Sequence, residues 1–242
     1  RVAKNLSNQY EQVILIGHPF FVKDVIETGL SSGISWRKTR LRLMFCSEGF
    51  SEKWRKYVAK KAGINSLEDS IISTYGSSEM LLMAHETPMS ILAKNTLEKN
   101  NAKKEFLGNN DKTMPNLFQY NPLIRFIESV DNNLIFTSAS GIPLIRFNLQ
   151  DNGDIIPFNK IESVLDNNFS GWRKKIKNNI WQLPFVTLNG RSDQTIIFYA
   201  ANIYPEHIKA GLDNPQFFKK LTGKFVMRID YTKNMDQILE IN

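Results

Sequence analysis

Ser70-Ile71-Ile72-Ser73-Thr74-Tyr75-Gly76-Ser77-Ser78-Glu79 is the stretch on which the reading of this chain turns. Its first half is short and β-branched, the pattern of a buried strand. Its second half is small and polar, the pattern of a tight turn. Upstream, Val13-Ile14-Leu15-Ile16 reads as a buried strand ending at Gly17, and Leu41-Arg42-Leu43-Met44-Phe45 as another. Between them, residues 19–28 place Phe21, Val22, Val25 and Ile26 on one helical stripe, with Pro19 in front and Gly29 behind. After Phe45, Ser51 can cap a helix whose apolar face is Trp54, Tyr57, Val58 and Ala62, ending at Gly63. This β-α-β-α-β order predicts an α/β fold, a sheet with parallel neighbours covered by helices. Ligands of such sheets bind at the carboxyl ends of the strands, which directs attention to the loops after Phe45 and Thr74.

Further along the chain a helix is expected over residues 89–97, then a polar, Asn- and Lys-rich surface insertion over 98–116. From Leu123 the pattern turns β-rich. Residues 123–127, 134–137 and 144–147 are strand candidates, separated by turn signals at Asp131-Asn132-Asn133 and Gly141-Ile142-Pro143. Two further strands are expected over 183–188 and 195–199, and Pro205 can open a helix through Leu212.

Composition bounds the function. The 242 residues, 42% hydrophobic and 23% charged, suffice for one large core with a small appendage. No apolar run approaches the roughly 18 residues that span a bilayer, so no membrane partner is expected. The opening RVAKNLSNQY has no apolar signal core and begins with Arg1, which predicts a piece of a larger protein. Cys46 is the single cysteine, so no disulfide framework exists within the chain. With only His18, His85 and His207 beside it, a His/Cys metal site is disfavoured, and a reducing cytoplasm is the expected compartment. The net charge of +7 suits an anionic partner. Its basic clusters, Arg37/Lys38/Arg40/Arg42 and Arg173/Lys174/Lys175/Lys177, lack the aromatic interleaving of a single-strand binder. They read as solvated faces, and nucleic acid is not the expected partner. Cys46 reads as a small packed residue and His85 as a polar or surface one.

Three motifs carry chemistry. In the turn after Thr74, Tyr75 offers a ring for stacking a base and Gly76 lets backbone pass close to a ligand. Ser77 and Ser78 offer hydroxyls to phosphate oxygens, and Glu79 suits Mg2+, which prefers one or two carboxylates plus phosphate. The plain alternative is a strand-to-helix turn capped by Ser78. In Gly141-Ile142-Pro143-Leu144-Ile145-Arg146-Phe147-Asn148-Leu149-Gln150-Asp151, the final carboxylate is acceptor-only and can take both ribose hydroxyls. The alternative is that Asp151-Asn152-Gly153-Asp154 is merely a turn. Gly190-Arg191-Ser192-Asp193-Gln194, followed by Ala201-Asn202-Ile203-Tyr204-Pro205-Glu206, is by itself a weak pattern.

The order and spacing of the three resemble the adenylate-forming superfamily, and within it the phenylacetate–coenzyme A ligase-like branch. Tyr75–Glu79 is similar to that family's Tyr-Gly-x-Thr-Glu segment, with Ser78 for Thr. Residues 143–151 resemble its Pro-Leu-Ile-Arg-Tyr-Arg-Thr-Gly-Asp segment, with Gln150 where Gly is usual. Residues 190–206 resemble its Gly-Arg-x-Asp hinge and the strand-turn-helix that opens the small C-terminal domain. Cys46-Ser47-Glu48-Gly49 departs from a Gly-Gly-Glu loop beside the adenine pocket.

The resemblance implies mixed sheets covered by helices, residues 1–189 being part of a large AMP-binding domain. Residues 190–242 would be the hinge and the start of a small α+β C-terminal domain. It implies that Tyr75 stacks on adenine, Gly76, Ser77 and Ser78 meet phosphate, and Glu79 holds Mg2+. Asp151 would bind the ribose, backed by Arg191, with Asp193 as the hinge. The implied reaction joins a small-molecule carboxylic acid to ATP, releasing pyrophosphate, then passes the acyl group from AMP to coenzyme A. Dimers occur in that family, and nothing in this sequence encodes one. Neither a Ser/Thr/Gly-rich phosphate-binding loop nor a late catalytic lysine is found, since Gly29-Leu30-Ser31-Ser32-Gly33 lies in a plain loop position and Lys224 and Lys233 come too early. The expectation is therefore a fragment that binds nucleotide weakly alone. The rival expectation is a non-catalytic binding or scaffolding protein that retains the fold, and a nucleic-acid binder comes third, on charge alone.

Overall fold

The computed structural model describes residues 2–6, 9–99, 114–139, 142–177, 179–191, 196–198, 201–218, 220–232 and 236–242. A short helix α1 (Val2–Leu6) precedes the sheet. β1 (Val13–Gly17), α2 (Pro19–Ser31), β2 (Leu41–Phe45), α3 (Glu52–Ala62), α4 (Leu67–Ser70) and β3 (Ile71–Ser77) then alternate. β2 pairs in parallel with β1 on one side and β3 on the other, as the sequence predicts. α3 begins where expected, because the Ser51 hydroxyl accepts the Trp54 N–H, and it stops at Gly63, whose φ of 68° is left-handed.

After β3 the sheet changes character. β4 (Leu81–His85) folds back antiparallel on β3, so the predicted strand-to-turn segment opens a hairpin and not a helix. α5 (Pro88–Lys99) covers the sheet, and β5 (Asn116–Gln119) joins it beside β4. The expected insertion over 98–116 lies largely outside the described residues. A second, four-stranded antiparallel sheet forms from β6 (Phe126–Val130), β7 (Asn133–Ser138) and β8 (Leu144–Asn152). The chain then returns through β9 (Ile155–Ile156), α6 (Phe158–Asn168), α7 (Trp172–Lys175) and β10 (Phe185–Leu188), and β10 inserts between β5 and β9. The large sheet therefore runs β1-β2-β3-β4-β5-β10-β9, parallel at one end and antiparallel at the other. β11 (Gly190–Arg191) pairs with β8 as the fourth strand of the second sheet, so the chain leaves that sheet only after Arg191. The remainder is α+β: the hairpin β12 (Ile196–Phe198) and β13 (Ala201–Ile203), α8 (Pro205–Leu212), and the pair β14 (Met227–Tyr231) and β15 (Gln237–Ile241).

Three apolar cores hold these layers. One packs α2 and α3 on the parallel strands through Ile26, Trp36, Leu43, Phe45, Trp54 and Val58. A second packs α5, α6 and α7 on the antiparallel strands through Met89, Leu97, Ile161, Leu165 and Trp172. The third lies between the two sheets and contains Tyr75, Met83, Phe118, Leu134, Phe136 and Val186.

The structure corrects three local expectations. Val13–Ile16 is not buried on both faces, since Ile14 is 54% and Ile16 65% exposed while Val13 and Leu15 pack on the helices. A continuous apolar run does not reveal that only one face is covered. Ser70 ends α4 and does not begin β3, and Leu123 is 94% exposed because its strand starts only at Phe126.

Candidate active site

The base of the site is a buried charge network that the sequence reading missed. Arg55 on α3 is fully buried. Its guanidinium donates to both oxygens of Glu52 at 3.0–3.1 Å and to Glu86 at 2.6 Å, and also to the Ile71 carbonyl. The other Glu86 oxygen accepts the Ser73 N–H at 2.7 Å, and the Glu86 N–H donates to the Ser73 carbonyl at 2.8 Å. Lys94 on α5 lies 3.8 Å from Glu52 and donates to Asn116 at 3.2 Å. Burial alone would push the Glu52 carboxyl up, but Arg55 and Lys94 outweigh it and hold it below its ordinary value. Two carboxylates and two cations thus balance in a dry site and clamp β3 to α3 and α5. The sequence signal was faint: Glu52 and Arg55, three apart on a helix, read as a surface pair.

On that clamped strand, Tyr75-Gly76-Ser77 continue the ladder into the hairpin, with a bulge between Tyr75 and Gly76. Gly76 is small for an internal reason. A Cβ there would stand 2.4 Å from the Leu81 carbonyl oxygen, so the close neighbour is its own hairpin and not a ligand. Ser77 accepts the Met80 N–H at 3.3 Å and so closes the turn. Ser78 and Glu79 occupy the exposed turn.

Tyr75 also departs from expectation. Only 6% of it is exposed, its ring stacks on Phe118 at 5.7 Å and meets the edge of Phe136 at 6.0 Å, and no open face remains for a base. Its hydroxyl donates to Asp151 Oδ2 at 2.5 Å. Asp151 lies in β8, where it pairs with Arg191 of β11, so the reading of Asp151–Asp154 as a plain turn does not hold. The Asp154 carboxylate instead accepts the Ile155 N–H at 2.8 Å. Beside Asp151, Gln150 takes a left-handed φ of 63°. A side chain there costs about 1 kcal/mol, which glycine avoids. Gln150→Gly is therefore expected to raise stability by about 1 kcal/mol in denaturant unfolding; a fall would mean that the glutamine's own contacts outweigh the strain.

These pieces border one cleft of about 1930 Å3. The Tyr75–Glu79 hairpin, Asp151 and the Asp131-Asn132 turn form part of its lining, and so do Glu48 and Phe50 after β2. Across from them stand Glu206, His207 and Lys209 of α8 and Asp213 just beyond it. Lys209 is ion-paired with Glu48, and His18 Nε2 lies 3.8 Å from the other Glu48 oxygen, so α8 is tied over the carboxyl ends of β1 and β2. The sequence reading missed this pair, whose members are 161 residues apart. Of the predicted site residues, Tyr75, Gly76, Ser77, Ser78, Glu79 and Asp151 all line the cleft. The Arg191 backbone is in β11 but its side chain is not described, and Asp193 lies outside the described residues.

Among the described residues, no three of His, Cys, Asp and Glu gather as a metal cage, and no helix is long and apolar enough to cross a membrane.

Comparison with solved structures gives the fold its context. Over all of this chain, and 45% of the other, it matches a 2-hydroxyisobutyryl-CoA ligase in the post-adenylation state with 2-HIB-AMP, at a TM-score of 0.60 and 17% identity. The chain has the fold of the adenylate-forming ligases. The same ligase in its thioesterification state, with 2-HIB-AMP and CoA, matches at 0.52 and 16% identity, over 100% of this chain and 44% of that one. Coronafacic acid ligase from Pectobacterium brasiliense matches at 0.51 and 10% identity, over 99% and 41%. The chain spans less than half the length of these adenylate-forming structures. No family model and no curated protein matches it.

Proposed function

We propose that this chain is the nucleotide-handling part of an enzyme that activates a carboxylic acid with ATP and transfers the acyl group to the thiol of coenzyme A, in the manner of phenylacetate–coenzyme A ligases. The supporting observation is that one cleft on an adenylate-forming fold gathers Ser77, Ser78, Glu79 and Asp151 on one wall and α8 on the other. In this reading the substrate carboxylate attacks the α-phosphorus of ATP, the acyl-phosphate bond forms, and the bond to pyrophosphate breaks. A coenzyme A thiolate then attacks the acyl carbon and AMP departs.

Asp151, an acceptor on a strand, takes the ribose hydroxyls, and Arg191 on the paired strand supports it. Ser77 and Ser78 donate to phosphate oxygens. The exposed carboxylate of Glu79 beside two hydroxyls fits Mg2+, which takes few protein ligands and several phosphate oxygens. Bound there, the metal would supply neutralisation of phosphate charge; positioning of the reactants falls to the residues named. Residues 1–189 act as the large domain and 190–242 as the start of the small one, with Asp193 as the hinge. The compartment is the cytoplasm.

The test is pyrophosphate release by the natural full-length polypeptide with Mg-ATP and a panel of aryl and aliphatic carboxylates. Acid-dependent release is expected, falling on the order of 100-fold in Glu79→Ala and in Asp151→Ala. No release with any acid, together with no detectable ATP binding, would remove the enzyme reading in favour of a fold retained for binding.

A further inference from the structure

We infer that Tyr75 serves the nucleotide through Asp151: it is a positioning residue whose hydroxyl fixes the plane of the Asp151 carboxylate at the cleft wall. This rests on the reading of Asp151 as the ribose acceptor. The two residues are 76 apart in sequence, yet their side chains meet at 2.5 Å, within the range of a charge-assisted O–H···O⁻ bond. Tyr75 is 6% and Asp151 7% exposed, so the bond is shielded from water. The ring cannot swing away, because Phe118 stacks on it and Phe136 meets it edge-on. Its backbone is held by pairing with Ala84, and that of Asp151 by pairing with Arg191. A phenol anchored at both ends of its reach thus sets the orientation of a carboxylate that lines the cleft. A carboxylate accepts through about four lone-pair sites, so one bond from Tyr75 still leaves capacity for a diol. Two hydroxyls on neighbouring carbons bind in a bidentate way only if the carboxylate plane is set in advance, and Tyr75 sets it.

The recognised chemistry is therefore a ribose diol, and the device makes the site discriminate ribonucleotides from deoxynucleotides. Tyr75→Phe keeps the ring and its packing and removes only the hydroxyl. Calorimetric titration should use AMP, 2′-deoxy-AMP and 3′-deoxy-AMP against the full-length protein. The variant is expected to bind AMP about tenfold more weakly, with both deoxy analogues changed by less than about twofold. Retained binding of the analogues shows that the site is folded. Equal weakening of all three ligands, or none, would overturn the proposal. If Tyr75→Phe bound no nucleotide at all, Asp151→Asn carries the test. Its amide oxygen can still accept from Tyr75, but its nitrogen cannot accept from ribose, so loss of discrimination is expected, and intact discrimination overturns the proposal. Failure of the underlying reading looks different: wild type would then bind AMP and its deoxy analogues alike, which removes the ligand role of both residues whatever the variants do.

Discussion

Arg55→Met is expected to lower stability by about 3–5 kcal/mol at neutral pH, because it leaves Glu52 and Glu86 buried without their shared guanidinium. The loss should depend on pH with a definite sign. In the native protein Glu52 is held below its ordinary value of 4.5, so its contribution is present above that pH and is lost as pH falls through the folded value. In the variant the compensating charge is gone, and burial with carboxylate repulsion raises the folded values. A raised carboxyl favours the folded state below its unfolded value and loses that advantage as pH rises. The difference between variant and wild type should therefore shrink from pH 8 to pH 5 in urea unfolding. A difference below 1 kcal/mol, or one equal at both pH values, would show that the network does not carry this weight.

Gly76→Ala is expected to damage activity more than stability. The added methyl would sit 2.4 Å from a backbone oxygen, that of Leu81, which no side-chain rotation can relieve. Accommodating it costs about 1–3 kcal/mol. The shift must be taken up by the hairpin that carries Ser77, Ser78 and Glu79. A displacement near 1 Å at groups that position reactants costs on the order of 100-fold in rate. Thermal unfolding and pyrophosphate release, measured on the same preparation, separate the two effects. An alanine variant with native release would show that the hairpin yields without moving its turn.

The parallel half of the large sheet was legible in the sequence because its logic is local. β1, α2, β2, α3 and β3 each announce themselves by apolar spacing, a cap or a glycine, and parallel pairing follows from the intervening helices. The antiparallel half was less legible, since β5 pairs with β10 almost 70 residues later and β9 is only two residues long. Within the site, Tyr75, Ser77, Ser78, Glu79 and Asp151 were named from residue chemistry, and they do border one cleft. What chemistry alone could not give was the direction in which Tyr75 faces. Its ring is consumed by a core formed with Phe118 and Phe136, residues that no local pattern ties to it. Arg55, Glu86 and Lys94 were invisible for a related reason. Charged side chains on amphipathic segments read as solvated until tertiary packing brings opposite charges together.

β3 is the strand where the large sheet passes from parallel to antiparallel neighbours. On one side it is reached by short-range βαβ winding, and on the other it awaits partners from much later in the chain. Loop closure grows costlier with separation, so contacts that bridge the most residues tend to form after local ones. Tyr75 and Asp151 are among the most widely separated of these. The scaffold that presents the turn can thus assemble early and stably, while the cleft wall is completed only when the second sheet docks. Foldedness and competence to bind would then be acquired at different moments in the life of one chain.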